Sequence, residues 1–457
     1  MSFKDRKTEM QALQERLNSD RFELIVIYGR RRVGKTELVL QATRAMKRVY
    51  YLATGASNLP RFHDSCMAQV PSTAKVKMDY EVLFDHLKDK VDVIIIDEFQ
   101  EIIKEDENVV SLLQSVIDQH LHASRLKIVL LGSSISLMQS KVLGYKAPLY
   151  GRRTGSMKLE PVRFYDLASF FPGATFEELV EIYGFADGIP QYLVQVKRPF
   201  WQWLMSQLKD EIGFLRDELE FLLRYEFSNP STYKSVLEAI ALGNTTVGEI
   251  KDRMKVARTD ISPYLENLAT LGFISRQVPV TENTTTRSGR YYIKDNFIKF
   301  WFRFVYPNLS AIESRAFDMS TITDHYGQYL GAVFEEVSMQ YVIESKLFPF
   351  SKIGHWWWKD HEVDIVGLHE PSETLSCGEC KWSEGVDGAS VARRLKETST
   401  YIPWRASSRH DAYYIFAKSF SRRIDEIDGD PVRCIDAAEM EKVHVKQVKT
   451  SLRHPRQ

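Results

Sequence analysis

The sequence has little cysteine. Four residues, at 66, 377, 380 and 434, are spread over 457 positions, which excludes a disulfide framework and reads as a chain suited to a reducing, cytoplasmic setting. No apolar run approaches the roughly 18 residues that a membrane-spanning helix needs, so no membrane partner is expected. The opening MSFKDRKTEM has no apolar stretch of the kind an export signal carries. Net charge is also lacking, since Lys and Arg total 61 and Asp and Glu total 61. Bulk attraction to nucleic acid is thereby excluded, and any such binding has to come from a local patch. What remains is an ordinary globular composition, 44% hydrophobic and 27% charged, in a chain long enough for about two to four domains.

Three short apolar runs stand near the N-terminus: FELIVIYG (22–29), VDVIIIDE (91–98) and LKIVLLGSS (126–134). Continuous apolar strands of this kind suit a parallel sheet covered on both faces. Amphipathic segments between them, such as NVVSLLQSVIDQHL (108–121), complete an α/β signature. The first run leads directly into GRRRVGKT (29–36), which fits G-x-x-x-x-G-K-S/T. In such a loop, Gly29 and Gly34 permit a tight path, and the N–H groups of Arg30, Arg31, Arg32 and Val33 wrap phosphates. Lys35 reaches the β- and γ-phosphates and Thr36 holds Mg²⁺. The helix that follows points its positive end at the anion.

IIIDE supplies the second half of a nucleotide site. Asp97 ends a buried strand, where a carboxylate is costly without a role. It fits the acid that steadies Mg²⁺, and Glu98 fits the group that polarises the attacking water. Ser133 and Ser134 end the third strand, within reach of the γ-phosphate. Arg152 and Arg153, in LYGRRT, are candidates for an arginine finger, acting in cis or from a neighbouring subunit; either could equally be a surface or structural arginine.

Together, FKDRKTEMQAL, GRRRVGKT, IIIDE, LLGSS, LYGRRT and GIPQYL resemble the archaeal-type ATPase family, a branch of the signal-transduction ATPases with numerous domains near AAA+. The resemblance covers roughly residues 1–225. It implies a RecA-like core, a small helical lid, a Gly188-x-Pro190 element near the nucleotide, and Phe3 and Arg6 at the base of the nucleotide domain.

The middle of the chain reads helix (231–242), helix (247–254), a helix ending YLENLATLGFI, and two strands, SRQVPV and GRYYIKD. That order resembles a winged helix-turn-helix. Pro263 is tolerable only in a helix's first turn. Lys251, Arg253, Lys255 and Arg258 are interleaved with Glu249, Asp252, Asp260 and Glu266, which is not the basic stripe of a strong DNA reader. DNA binding and intramolecular docking both stay open. NFIKFWFRFVYP (296–307) is a packing helix or, alternatively, a platform for stacked bases.

From about residue 326 the order is helix with Glu335 and Glu336, three strands (352–358, 361–368, 374–382), helix, strand (411–418). Alternation along TLSCGECKW puts Cys377, Glu379 and Lys381 on one face and Cys380 on the other. That arrangement argues against a zinc knuckle, although C-x-x-C allows one in principle. Glu362 and Asp364 share a face of the preceding strand. The set Glu335, Asp364, Glu379 and Lys381 resembles the PD-(D/E)xK nucleases, with Val363 where the name motif has Pro. Asp364 and Glu379 would hold Mg²⁺ or Mn²⁺, and Lys381 would orient the attacking water or stabilise developing charge. FEEVS, HWWW, EVDIV and GECKW also resemble the C-terminal module often fused to archaeal-type ATPases.

The expected architecture is therefore α/β and multidomain: a RecA-like P-loop NTPase core (1–160), helical lid (161–227), winged helix-turn-helix (228–305), linker (306–325) and restriction-endonuclease-like domain (326–457). The expected function is ATP binding and hydrolysis with ATP and Mg²⁺, joined to a metal-dependent nuclease-like domain acting on DNA in processing or defence. The alternative is a nucleotide-switched signalling or scaffold ATPase whose winged helix and inactive C-terminal domain bind partners or DNA. A homo-oligomer is compatible with both.

Overall fold

The computed structural model describes residues 6–210, 213–227, 229–256, 260–286 and 288–443; Phe3 and Arg258, named above, lie outside the described residues. Its contacts divide the chain into two units, Met1–Val162 with Ile189–Gln191, and Arg163–Gly188 with Tyr192–Gln457.

The first unit is built on strands β1 (Glu23–Tyr28), β2 (Arg48–Leu52), β3 (Val93–Asp97), β4 (Lys127–Gly132) and β5 (Gly155–Lys158), in the order β2-β3-β4-β1-β5. All neighbours are parallel. β3 and β4 are buried along their whole length, as their unbroken Val/Ile/Leu runs require; each such side chain contributes about 1.5–3 kcal/mol on leaving water. β5 (GSMK) carries no apolar signal and sits at the sheet edge, held by backbone pairing of Ile25 with Gly155 through Tyr28 with Lys158. Helices Asn58–Gln69, Tyr80–Leu87 and Val109–Val116 contribute Phe62, Leu83, Phe84, Val110 and Leu113 to the core beside the sheet. The last of them passes into a wider π-type coil over Ile117–Leu121. The carboxyl ends of β1, β3 and β4 carry Gly29, Asp97 and Ser133 to one edge of the sheet, where open α/β sheets bind ligands.

In the second unit, helices Phe176–Ala186, Phe200–Lys209 and Glu218–Glu226 precede helices Pro230–Ala241, Val247–Met254 and Ser262–Thr270. Thr246 and Glu249 form a capping box, and Pro263 falls in the first turn of its helix, the one place it costs nothing. β6 (Ile274–Gln277) and β7 (Arg290–Ile293) pair antiparallel. Residues 296–305 are core and cannot serve as a base-stacking platform: Phe297, Phe300, Trp301, Phe302 and Phe304 are all buried. Phe300 packs edge-on to Phe185 at 5.1 Å, and the Trp301 Nε1–H donates to the Leu215 carbonyl at 3.0 Å.

A 26-residue helix, Ser320–Ser345, follows. It begins inside the segment 306–325 expected as linker, because Ile322 and Tyr326 are themselves buried and extend its packed face. Strands β8 (Lys352–Trp358), β9 (His361–His369) and β10 (Thr374–Lys381) form an antiparallel meander. After β11 (Val386–Asp387) and helix Gly388–Ser399 comes β12 (His410–Ala417), parallel to β10. β13 (Phe420–Arg422) pairs with β11, and β14 (Glu426–Ile427) and β15 (Asp430–Asp436) extend the sheet to the order β14-β15-β12-β10-β9-β8. At the β8 edge, the Val280 N–H donates to the His355 carbonyl at 2.9 Å.

Asp187 is buried in this unit with a left-handed φ of 53°. Its carboxylate accepts the Gly188 N–H at 2.6 Å and the Asn296 N–H at 3.1 Å. Burial, followed by the charges of Asp295 and Glu336, raises its pKa from 3.8 to about 7. The folded state therefore holds a proton that the unfolded state releases, and this group's contribution to stability falls as pH climbs from about 4 to about 7, then levels. Glu336 accepts a hydrogen bond from the Tyr183 hydroxyl at 2.6 Å, which glutamine can also accept. We predict that Glu336→Gln flattens the decline of stability across that window. Urea melts at several pH values check this, and an unchanged slope would remove Asp187 as its source.

Candidate functional sites

In the first unit the phosphate-loop sequence folds as its glycines demand. A Cβ at Gly29 would stand 2.4 Å from the Leu159 carbonyl oxygen, and Gly34 has φ +89°. The loop ends in helix Lys35–Ala42. The buried Lys35 ammonium donates to the carbonyls of Gly29 and Arg30 at 2.8 and 2.9 Å. Arg31 is partly buried, Arg32 is exposed with φ 70°, and Val33 is buried. A Cβ at Gly34 would touch Pro190 Cγ at 3.9 Å, so Pro190 walls the loop.

The acid pair meets the loop directly. Thr36 Oγ1 donates to Asp97 Oδ2 at 2.6 Å, and the Tyr50 hydroxyl donates to the same oxygen at 3.1 Å. Burial and then the Asp97 charge hold the Tyr50 phenol well above its usual pKa. The Glu98 N–H donates to Asp97 Oδ1 at 2.9 Å. Glu98 itself has φ 53°, a conformation that costs a non-glycine residue roughly 1–3 kcal/mol and gathers at functional sites. Ser133 Oγ donates to Glu98 Oε2 at 2.5 Å, and Gln100 Nε2 donates to both Glu98 and Ser133. A hydroxyl, a carboxylate and a buried ammonium at a helix N-terminus form a donor set that fits a nucleotide phosphate with its magnesium ion.

Arg152 makes a two-point ion pair with Asp118, at 3.1 and 2.8 Å, and the Arg153 guanidinium lies 5.0 Å over the Tyr150 ring. Arg6 is buried; it donates to the Val33 carbonyl of the loop at 3.1 Å and to the Glu160 carbonyl at 2.6 Å. Tyr50 and Gln100 escape sequence reasoning, since neither belongs to a motif.

In the second unit, β9, β10 and the long helix bring together Glu335, Asp364, Glu379 and Lys381. The Cys380 N–H donates to Asp364 Oδ2 at 2.8 Å, and Lys381 Nζ donates to Glu379 Oε1 at 2.5 Å. Burial, then the charges of Glu335 and Glu379, lift the Asp364 carboxyl well above its usual range. Burial and then Glu362 raise Glu335 to about 7, against the pull of Lys299 and Lys381. Burial alone would lower the Lys381 pKa, but its hydrogen bond and charge interaction with Glu379 outweigh this and hold it protonated.

Strict alternation does not run past Asp364. The β8–β9 register slips between Gly354 and Trp356, and Val363 and Val366, three residues apart, enter the same core. Such a bulge re-aims a side chain. The extra residue falls after Asp364; Val363 points into the core, so Glu362 and Asp364 on either side of it keep the shared opposite face, with Glu362 the more exposed of the two. Cys377 packs in the core beside Val391 and Leu395, whereas Cys380 lies on the other face beside Ser338 and is held well above the usual thiol pKa by burial. All four cysteines are free.

Among the described residues, no three or more His, Cys, Asp and Glu side chains are arranged as a ready metal cage. A set of two carboxylates and a main-chain carbonyl remains, and the mutual repulsion of Asp364, Glu335 and Glu379 is what a hard divalent cation relieves. The donor set fits one. Lys299, Tyr292 and Arg290 also surround this site: Lys299 and Tyr292 interact with Glu335, and Arg290 lies 4.8 Å over the Trp357 ring.

A parallel sheet with a phosphate loop after β1 and an acid at the end of β3 makes the first unit an α/β P-loop ATPase domain. Residues 3–196 match the model of an ATPase domain predominantly from Archaea, and residues 301–397 match archaeal and bacterial proteins of unknown function. The chain is 50% identical over 387 residues to an uncharacterised protein of Methanocaldococcus jannaschii, covering 84% of this chain and 88% of that one. It belongs to that family of archaeal-type ATPase-domain proteins. The Walker-type ATPase of Pyrococcus abyssi superposes with a TM-score of 0.51 at 23% identity, over 66% of this chain and 96% of that one. The Aeropyrum pernix ORC2 protein, solved as ADPNP–ADP complexes, gives 0.45 at 16% identity, over 69% and 95%. Among the described residues, no helix is long and apolar enough to cross a membrane.

Arg6→Ala is predicted to lower the unfolding free energy by roughly 1–3 kcal/mol, because it strips a charged donor from buried carbonyls. Urea denaturation measures this; an unmoved midpoint would mean that Arg6 does not brace the loop.

Proposed function

We propose that the chain binds and hydrolyses ATP in its first unit and carries a metal-dependent, nuclease-like site for DNA in its second. The nucleotide reading rests on Thr36 and Asp97 in direct contact below the loop. Lys35 would exchange its two carbonyl acceptors for phosphate oxygens. Glu98, held by Ser133 and Gln100, would accept a proton from the attacking water. Magnesium, when bound, would neutralise phosphate charge, with Thr36 and Asp97 holding it. Arg152 and Arg153 remain candidates for a finger, and Arg152 would first have to leave Asp118. We further propose that the finer division into core, lid, winged helix and nuclease-like domain holds, with residues 230–293 as the winged helix.

The single observation that carries the nuclease-like reading is the convergence of Asp364, Glu379 and Lys381 beside Glu335. The order of helix, antiparallel meander, helix and parallel strand supports it as well. Asp364, Glu379 and the Cys380 carbonyl would hold a divalent cation, which when bound supplies Lewis-acid stabilisation of phosphate charge. Lys381, kept as an ammonium by Glu379, cannot act as a general base in this form. It would donate to the scissile phosphate or to the water and offset the charge that develops there.

A second reading has its own support. Val280, between β6 and β7, pairs with His355, and Arg290 covers Trp357, so the hairpin is engaged within the unit. A winged helix used in this way is a docking module, as in a nucleotide-switched scaffold.

Lys35→Ala is expected to weaken ATP binding about tenfold or more, and Glu98→Gln to bind ATP but lose turnover; normal turnover in the glutamine variant would exclude Glu98 as the water-polarising group. Plasmid and single-stranded DNA incubated with Mg²⁺ or Mn²⁺, with and without ATP, test the second site. Asp364→Ala should lose metal and cutting, and Lys381→Ala should keep metal but lose cutting about a hundredfold or more. Cys380→Ser should stay near wild type, because its backbone N–H, not its thiol, holds Asp364. No cutting by the wild-type chain in either metal would leave the scaffold reading.

A further inference from the structure

At the tip of the β8–β9 hairpin, three rings lie nearly parallel. His361 stacks on Tyr401 with centroids 3.9 Å apart and planes 19° apart. Trp358 stands 5.8 Å from Tyr401 at 26° and 6.3 Å from His361 at 9°. Two of the rings are open to solvent, Trp358 at 46% and Tyr401 at 47% exposure, and His361 is partly buried. Their neighbours Trp356 and Trp357 are buried, so burial cannot account for an aromatic residue at position 358. Lys359, in the turn with φ 52°, holds its ammonium 4.4 Å over the Trp358 ring.

Nearly parallel, half-exposed aromatic faces with one cation are what unpaired nucleobases stack on, and every base offers a π-face. The platform also stands close to the acid–lysine site along the chain, because β9 runs from His361 through exposed Glu362 to Asp364. We infer that Trp358, His361 and Tyr401 form a stacking platform for an unpaired base of a single-stranded nucleic acid beside that site. The choice of ligand rests on the nuclease-like reading; the platform itself does not. Charge adds little, since Asp360 and Glu362 follow Lys359 within three residues. Stacking rather than counterion release should carry the binding, so its dependence on salt should be shallow.

The test uses the full chain in the presence of a metal chelator, with fluorescence anisotropy of labelled oligonucleotides. A short polythymidine strand is compared with a strand of the same length made of abasic sites, which keeps the phosphates and removes the bases. Wild type should bind the base-bearing strand about tenfold more tightly. Trp358→Ala and Tyr401→Ala should erase that preference, and Trp358→Phe should keep most of it. A uridine strand run in parallel should show the same preference if the base is what is read. Equal affinity of wild type for base-bearing and abasic strands overturns the inference, as does an alanine variant of unchanged thermal stability that keeps the preference. Because no metal is present, the preference is read separately from cleavage. A chain that shows the preference but never cuts sinks the nuclease reading and leaves the platform standing.

Discussion

Like charges brought together away from water are the constraint around which the second unit is arranged. Burial and neighbouring carboxylates raise the proton affinity of Asp364 and Glu335, and Lys381 is a nearby counter-charge paired with Glu379. Each acid comes from a different element: the long helix, β9 and β10. The helix is buried along one face, and both strands are paired within the sheet. A cluster of this kind costs free energy wherever its charges are taken out of water without enough counter-charge.

The first unit meets the opposite problem with the same device. There a buried ammonium, Lys35, is held by the carbonyls of its own loop. The acid that faces it across Thr36 is satisfied by a hydroxyl, a phenol and a backbone N–H. The Lys35 ammonium and both Asp97 carboxylate oxygens thus have hydrogen-bond partners at this edge of the sheet. Glu98, in a left-handed backbone, is positioned by Ser133 and Gln100 rather than by secondary structure.

The legibility of these sites in the sequence followed the physics of each element. β1, β3 and β4 were readable because strands buried on both faces are apolar without a break, and the phosphate loop because its glycines answer to specific steric demands. β5 was not readable, since an edge strand of Gly, Ser, Met and Lys is held by backbone pairing alone. The pairs Glu379 with Lys381 and Glu362 with Asp364 follow from alternation, whereas the bulge that brings both Val363 and Val366 into one core does not. Arg6 was expected at the base of the nucleotide domain only through the family resemblance, and Lys299, a single charged residue, reaches Glu335 only through tertiary packing. The aromatic run at 296–305 is the packing helix its composition suggested, its rings filling the core, and of the HWWW tryptophans only Trp358 is exposed.

The pairing of Val280 with His355 bears on solubility. β8 ends in three consecutive tryptophans on the outer strand of a six-stranded sheet. With little charge and strong β-propensity, such an edge invites the same strand of another molecule to add to it. The segment joining β6 and β7 occupies part of that edge and buries Val280 against the sheet. Its displacement would uncover an unpaired stretch of an aromatic edge strand, of the kind to which another strand can add.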